Sequence, residues 1–512
     1  MSPAAVEPDS VGFWWEADQH PDKAAVITTD GAVTTYGELA ERTNRLSNLL
    51  LARGLTSGDH LAFLLGNNVT TYEVALACLQ IGIIYTPINR SLTADEAAYI
   101  ITDCGARAFI AEEQFAPAAV GTLDRISSEV SIRLSIGTIP GFENLIEAIA
   151  GYPATLPPRH LAGGPFYYTS GTTGRPKGVL RPTLGAQPLA ETMAAFIQVG
   201  QVNGCDRDGT YLVQGPLHHS GPLGSSLNVL HAGATVILMG KWDAVTVLEM
   251  IQKYRVCSTL MVPTMFHRLL ALPEEVRNRY DVSSIRSGVV KHGSAQVPVA
   301  TKRAMIEWFG PVLMETYGGQ EGVIATVNST DWLAHPGTVG RPKVPVQILD
   351  EDGNPCGPGE VGTIYGALGD VEYFHAPEKT ESSRRGEYFT MGDMGYLDDE
   401  GWLYLVDRRV DLIISGGVNI YPAEVEAALL QHPGVADVAV IGVPNAEWGH
   451  EVKAVVQRVE GVAAPTEGEL IDFCRSHVAK YKCPRTVDFV AALPRDPLGK
   501  LQRWQLRDAY AS

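Results

Sequence analysis

Apolar residues recur with two different periods along this chain, and the changes of period mark its elements. Thr35-Tyr36-Gly37-Glu38 is a capping box, a hydroxyl followed three residues later by a glutamate. Leu39, Leu46, Leu49 and Leu50 follow at near-helical spacing, and Gly54 is a natural stop. Residues 61–65 form a short apolar run that predicts a buried strand. The longer run 74–88 is interrupted by Gln80, Gly82 and Pro87 and predicts a buried helix followed by a strand. Thr93-Ala94-Asp95-Glu96 opens another helix that ends near Gly105, and 108–111 is the next strand. Strand–helix alternation of this kind predicts a parallel sheet flanked by helices.

The same alternation resumes beyond residue 210. Strands are expected at 211–213, 235–239, 258–262 and 312–315, with helices at 223–231, at 244–254 and within 294–309. Residues 164–168 predict a short strand. Ligands of such sheets bind at the carboxyl ends of strands, so the loops 164–178 and 315–322 are expected to face one crevice. From 335 to 406 the pattern changes to short alternating strands with many turns. The charged stretch 407–411 (DRRVD) breaks strand periodicity, and a domain boundary is placed there: 1–407 and 408–512. Beyond it come helix 423–431, strands 435–443 and 452–459, helix 467–479 and strand 486–490, a compact α+β pattern.

Composition narrows the functional classes. A chain of 512 residues exceeds one ordinary core. A net charge of −18 argues against general nucleic-acid binding and against an anionic membrane surface. No apolar run reaches the roughly 18 residues of a spanning helix, and the first ten residues lack the pattern of a signal peptide. The seven scattered cysteines contain no C-x-x-C pair, which suits a reducing cytoplasm and not a structural zinc site.

The most informative segment is 167–178, which reads YYTSGTTGRPKG. Its glycines allow the backbone to turn N–H groups inward, its hydroxyls add donors, and Lys177 adds positive charge. That chemistry suits a polyphosphate such as ATP, while a mobile surface turn is the plainer alternative. It is not a Walker A loop, since Pro176 separates Arg175 from Lys177 and Gly178 follows the lysine. Glu321, within YGGQEG, is either a turn residue or a magnesium ligand on the crevice side. Asp393 is either a turn residue or an acceptor for ribose hydroxyls. The segment 412–422 (LIISGGVNIYP) reads as a hairpin or as a close backbone approach, and 494–500 (PRDPLGK) ends in a lysine. His218 and His219 are adjacent and point in different directions, so they are not a two-histidine metal site.

Taken in order, these segments resemble the adenylate-forming superfamily of acyl-CoA synthetases, adenylation domains and beetle luciferase. YTSGTTGRPKG, PLHHSG, HGSA, YGGQE, the GD of 392–393, DRRVDLIISGGVNIYP, YKCPR and PRDPLGK carry the resemblance, from the Thr35 helix to Arg507. It implies an α/β fold: a large N-terminal domain of flanked parallel-type sheets with a small β-barrel-like part, and a small mobile α+β C-terminal domain. It implies that Thr169, Ser170, Gly171, Thr172, Thr173, Gly174 and Lys177 hold the β- and γ-phosphates of ATP, and that Glu321 binds Mg²⁺. Gly293, Ser294 and Ala295 with Tyr317 and Gly318 would frame the adenine, and Gln320 would contact the adenylate phosphate. Asp393 and Arg408 would bind the ribose. His219 would lie by the acyl pocket, and Lys500 would reach the carboxylate and α-phosphate oxygens. Ser415, Gly416 and Gly417 would line the approach of coenzyme A.

The implied chemistry is attack of a carboxylate on the α-phosphorus of ATP, then attack of a thiol on the acyl-AMP, with the C-terminal domain rotating between the steps. Five positions depart from the family's usual residues: Gln320 for Thr, Val410 for Lys or Asp at the hinge, Met391 for Thr, and Asp496 with Leu498 for hydroxyl residues. Further likeness is to actinobacterial synthetases of the FadD type, including those acting on steroid or bile-acid side chains. With Gly221, Gly224, Ser225, Ser226, Gly318 and Gly319 near the expected pocket, an apolar medium-chain, branched or cyclic acid is preferred to acetate. Expected partners are this acid, ATP and CoA, with a homo-oligomer possible. Loading of a carrier protein and a non-catalytic binding homologue are the alternatives.

Overall fold

The capping boxes form as the sequence predicts. Thr35 Oγ1 accepts from the Glu38 N–H and the Glu38 carboxylate accepts from the Thr35 N–H, opening helix Tyr36–Ala52; Thr93 and Glu96 do the same for helix Ala94–Asp103. The computed structural model describes residues 12–158, 161–169, 176–181, 184–293, 297–408, 411–415, 418–445, 449–478, 480–496, 499 and 501–510. For Thr169, Asp407, Arg408, Ile414, Val418, Asn419 and Gly449 it describes the backbone alone.

Two sheets dominate the described residues. One has six strands, all parallel, in the order Glu143–Asn144, Ile132–Ile136, Ala106–Glu112, His60–Leu64, Ile84–Pro87, Gly164–Pro165. The other has fifteen. Its parallel part runs Ala24–Thr28, Thr235–Leu238, Thr210–Val213, Ser258–Met261, Val290–Gly293, Leu313–Gly319, and from Gly322–Asn328 onward it continues antiparallel. Helices Tyr36–Ala52, Val69–Gln80 and Ser220–His231 share one core with residues of both sheets. Helices Ala244–Tyr254 and Val299–Phe309 pack on the far face of the larger sheet, and Ala94–Asp103 on the far face of the smaller. The result is a helix–sheet–helix–sheet–helix stack. Helix Val69–Gln80 is buried continuously from Thr71 to Gln80, which is why its sequence is apolar on every side.

Two expectations are corrected. Residues 164–168 are not one strand: Gly164–Pro165 joins the six-stranded sheet, and Tyr168–Thr169 begins a separate three-stranded one. Pro165 has no N–H to continue a ladder, and the chain changes sheets there. Residues 315–322 are not a loop: strand Leu313–Gly319 turns directly into the antiparallel strand Gly322–Asn328. Helices Phe13–Gln19, Leu189–Val202 and Arg503–Tyr510 also form without a sequence signal. Leu189–Val202 lacks a side-chain cap and buries only Leu189, Met193 and Gly200, so neither a cap nor a stripe marks it.

The strand after Arg408 lies in another sheet. Ile413–Ser415, Val418–Ile420, Val435–Asn445, Gly449–Arg458 and Thr486–Val490 form five strands packed by helices Pro422–Leu429 and Glu467–Arg475. All seven cysteines are free, and no helix of the described residues is long and apolar enough to cross a membrane.

Beneath the carboxyl edge of the larger sheet, Lys302 of helix Val299–Phe309 donates to Glu315, with side chains 1% and 8% exposed. The Lys302 ammonium also sits 4.7 Å from the centre of the Trp332 ring. Removing one buried partner strands the other charge, so Lys302→Met or Glu315→Leu alone is expected to lower unfolding free energy by about 3 kcal/mol. The double variant should recover most of that loss, measured as the shift of the urea midpoint.

Candidate functional site

Strand Thr210–Val213 has Thr235–Leu238, the next strand in the chain, on one side and Ser258–Met261, the one after, on the other. Strand order therefore reverses at Thr210–Val213, and ligands of such sheets bind beyond the carboxyl ends of the strands at that point. Residues 214–219 lie at that edge. The Gln214 amide donates to Thr259 Oγ1 at 2.8 Å, and its carbonyl accepts from Trp242 Nε1 at 3.0 Å. His219 is the N-cap of helix Ser220–His231, with its ring centre 4.2 Å from that of His218. Burial pushes His218 well below the ordinary histidine range, with His219 and Arg90 adding to the shift, so its ring is neutral.

The glycine-rich segment spans a hairpin. Lys177 pairs with Thr169, and Gly178 with Tyr168. Across the next strand, Val179 pairs with Tyr373. The Tyr373 hydroxyl donates to Glu321 Oε1 at 2.9 Å. From the end of the same hairpin strand, Arg181 donates to the carbonyl oxygens of Glu321 at 2.6 Å and Gln320 at 3.2 Å. Glu321, 7% exposed, is thus held through its carboxylate by Tyr373 and through its backbone by Arg181. Gly319 makes room for it, since a Cβ there would lie 2.4 Å from Glu321 Oε2. Burial lowers the Lys177 ammonium, helped by Lys379.

A second cluster stands on the neighbouring strands. The Tyr317 hydroxyl donates to Asp393 Oδ2 at 3.0 Å, and Asp393 lies opposite Arg408 in the antiparallel register. Gly293 pairs with Thr316, where a Cβ would come within 2.7 Å of the Thr316 carbonyl oxygen. The Gln320 amide donates to Ser220 Oγ, tying the turn to the first residue of helix Ser220–His231. Gly318 is exposed on the strand end.

Among the described residues, Gly499 of the C-terminal part comes to this edge. Arg495 forks onto Asp437 with two contacts of 2.6 Å and donates to the Gly499 carbonyl at 2.6 Å. A Cβ on Gly499 would lie 2.3 Å from Thr264 Oγ1, in the first turn of helix Pro263–Leu270 at the end of strand Ser258–Met261. Ser415 pairs within its own sheet instead, opposite Val418 and Gly449. Ser170, Gly171, Thr172, Thr173, Gly174, Ser294, Ala295, Gly416, Gly417 and Lys500 lie outside the described residues, as do Val410 and Leu498.

The described residues contain no group of three His, Cys, Asp or Glu side chains able to enclose a metal. Glu321 offers a single carboxylate with one oxygen already engaged by Tyr373. That donor set fits a magnesium ion held mainly by phosphates and water. Sequence reasoning missed Arg181, Tyr373, Arg495 and Thr264. Arg181 stands three residues beyond the glycine-rich segment and could have been noticed; Tyr373 is brought in by a strand pairing that no local pattern announces.

Residues 13–367 match the AMP-binding enzyme family, and 424–500 match the AMP-binding enzyme C-terminal domain. The chain is 31% identical over 486 residues to the long-chain-fatty-acid–CoA ligase FadD13 of Mycobacterium tuberculosis, covering 93% of each chain. It is 33% identical over 500 residues to the feruloyl-CoA synthase of an Amycolatopsis species, covering 95% of this chain and 96% of the other. Among solved structures it resembles the amide bond synthetase McbA of Marinactinospora thermotolerans, with a TM-score of 0.81, 27% identity and 98% of both chains covered.

Tyr373→Phe leaves a buried carboxylate oxygen without its donor. It is expected to lower stability by about 2 kcal/mol, whereas Tyr365→Phe on a nearby strand should change it far less; denaturant midpoints check both.

Proposed function

The chain belongs to the AMP-binding enzyme family and is an AMP-forming acid–thiol ligase, and we propose that it converts an apolar medium-chain, branched or cyclic carboxylic acid to its CoA thioester. The observation that carries this reading is the convergence at one sheet edge of the hairpin bearing Lys177, the Glu321 carboxylate and the Tyr317–Asp393 pair. A nucleotide laid along that edge would meet a phosphate cradle, a carboxylate and a ribose acceptor in that order.

In the first step the acid's carboxylate oxygen attacks the α-phosphorus, the bond to the bridging oxygen breaks, and pyrophosphate leaves. Residues 169–177 hold the departing phosphates. Glu321 would hold a magnesium ion, which would supply neutralisation of phosphate charge. Tyr317, with Gly293 to Ala295 and Gly318, frames the adenine, while Asp393 and Arg408 take the ribose hydroxyls. Lys500 neutralises the carboxylate and α-phosphate oxygens. The approach of Gly499, the residue before Lys500 in the chain, to Thr264 at the end of strand Ser258–Met261 supports this role. Positioning and charge neutralisation supply most of the acceleration, since the protein forms no bond to the transferred group.

In the second step the thiol sulfur attacks the acyl carbon, loses its proton, and expels AMP. Ser415 to Gly417 would line that approach after residues 408–512 rotate against 1–407. The Gln320 amide donates to Ser220 at the start of the helix that His219 caps, so besides its contact with the adenylate phosphate it would brace the acyl side of the crevice. The scattered free cysteines favour the cytoplasm as the site of action. McbA, whose name records an amide product, makes an amine the second acceptor to test.

Pyrophosphate release with ATP, Mg²⁺ and a panel of aliphatic, branched, aromatic and steroid acids tests the first step. CoA, a carrier protein or a simple amine then tests the acceptor. Release with at least one acid and a CoA thioester as product are expected; silence across the panel overturns the enzyme reading, and turnover with carrier protein or amine alone overturns CoA. Lys500→Ala should lower adenylation about 100-fold or more while supplied acyl-AMP and CoA still react, as followed by AMP release. Equal loss of both steps removes the rotation account.

A further inference from the structure

Helix Ala94–Asp103, on the far face of the smaller sheet, ends on an acid. A carboxylate in a last turn faces the negative end of the helix dipole, which disfavours it. The Asp103 side chain is only 14% exposed, so water cannot be its main partner. Its two oxygens are taken by two donors distant in sequence. The Tyr168 hydroxyl donates to Oδ2 at 2.6 Å, and His375 Nδ1 donates to Oδ1 at 3.2 Å. Burial, with Cys104 and Asp103 adding to it, pushes the Tyr168 hydroxyl up, so it stays protonated and serves as a donor.

Both donors belong to the backbone that brackets the glycine-rich segment. Tyr168 opens the strand that enters it, and Gly178, opposite Tyr168 in the antiparallel register, lies in the strand that leaves it. His375 comes just after strand Glu372–Tyr373, which pairs with the leaving strand, and the Phe374 N–H donates to the Gly178 carbonyl at 2.9 Å. The Phe166 ring packs edge to face on both Tyr168 and Phe374, and His375 stacks on Phe374 with ring centres 3.9 Å apart. His375 holds this position at φ 52°, a left-handed backbone conformation that costs a residue with a side chain about 1 kcal/mol or more. The ring contact and the bond to Asp103 offset that strain. Tyr373, two residues earlier, grips Glu321 at the edge of the larger sheet. The two ends of the glycine-rich segment are in this way tied to both sheets, and the tie to the smaller one passes through a single carboxylate.

We propose that Asp103 is a positioning residue for the polyphosphate: through Tyr168 and His375 it fixes the two ends between which the glycine-rich segment grips the β- and γ-phosphates. It touches no atom of the nucleotide and leaves the adenosine and α-phosphate end unaffected. This rests on the nucleotide-binding reading above and deepens it.

The test compares a nucleotide that carries the two outer phosphates with one that lacks them. ATP with Mg²⁺, and AMP, are titrated calorimetrically without any acid into the unaltered protein, Asp103→Ala, Asp103→Asn and Tyr168→Phe. The expected result is an ATP Kd raised about 10-fold by Asp103→Ala and by Tyr168→Phe, with the AMP Kd moved by less than about twofold. Asp103→Asn, which keeps a carbonyl acceptor for Tyr168, should recover part of the loss. Adding Tyr168→Phe to Asp103→Ala should weaken ATP no further, because both remove the same contact. Equal weakening of ATP and AMP marks a merely structural role and overturns the proposal, as does an ATP Kd that no variant changes. If Asp103→Ala fails to fold, Asp103→Asn and Tyr168→Phe decide the matter by the same criterion. An unaltered protein that binds no ATP overturns the nucleotide reading itself, and the proposal with it.

Discussion

The contact on which the crevice depends is the grip on Glu321. A carboxylate buried at the tip of a tight turn is tolerated because Tyr373 donates to its side chain and Arg181 to its backbone. Tyr373 belongs to the three-stranded sheet that carries the ends of the glycine-rich segment, and Arg181 directly follows that sheet's strand Lys177–Leu180. The same few hydrogen bonds therefore set the distance between the strands flanking the glycine-rich segment and the turn at the end of the larger sheet. Without them the two sheets would each be complete, and no single site would lie between them.

The rest of the crevice is referenced to that turn. Gln320 carries it to the start of helix Ser220–His231, and Tyr317, three residues earlier, carries it to Asp393. Glycines at 293, 318 and 319 stand where a Cβ would strike a carbonyl oxygen or the Glu321 carboxylate, so their absence of a side chain is a packing requirement. On the opposite face, Lys302 and Glu315 give the strands beneath the site a closed and rigid support. Among the described residues, Gly499, held by the Arg495 fork, brings the C-terminal part against Thr264 of this framework.

The two sheets and the helices between them were largely legible. Thr35 and Thr93 announce helix starts through local hydrogen bonds, and helix Ala244–Tyr254 shows its amphipathic stripe. Where a partner distant in sequence decided the structure, the reading failed. Pro165 looks like the middle of one strand but ends its ladder, and the YGGQEG segment looks like a loop because three glycines dominate it, yet a neighbouring strand pairs with it.

The amino-acid sequence by itself determined the class of fold and the candidate chemistry, because caps, apolar periods and the glycine–hydroxyl–lysine segment are properties of a few adjacent residues. Tertiary structure alone decided which carboxylate faces the hairpin, that Gln320 turns to Ser220, and that Asp103 meets Tyr168 and His375. These are matters of strand register and long-range pairing, and no short stretch of chain contains the information that sets them.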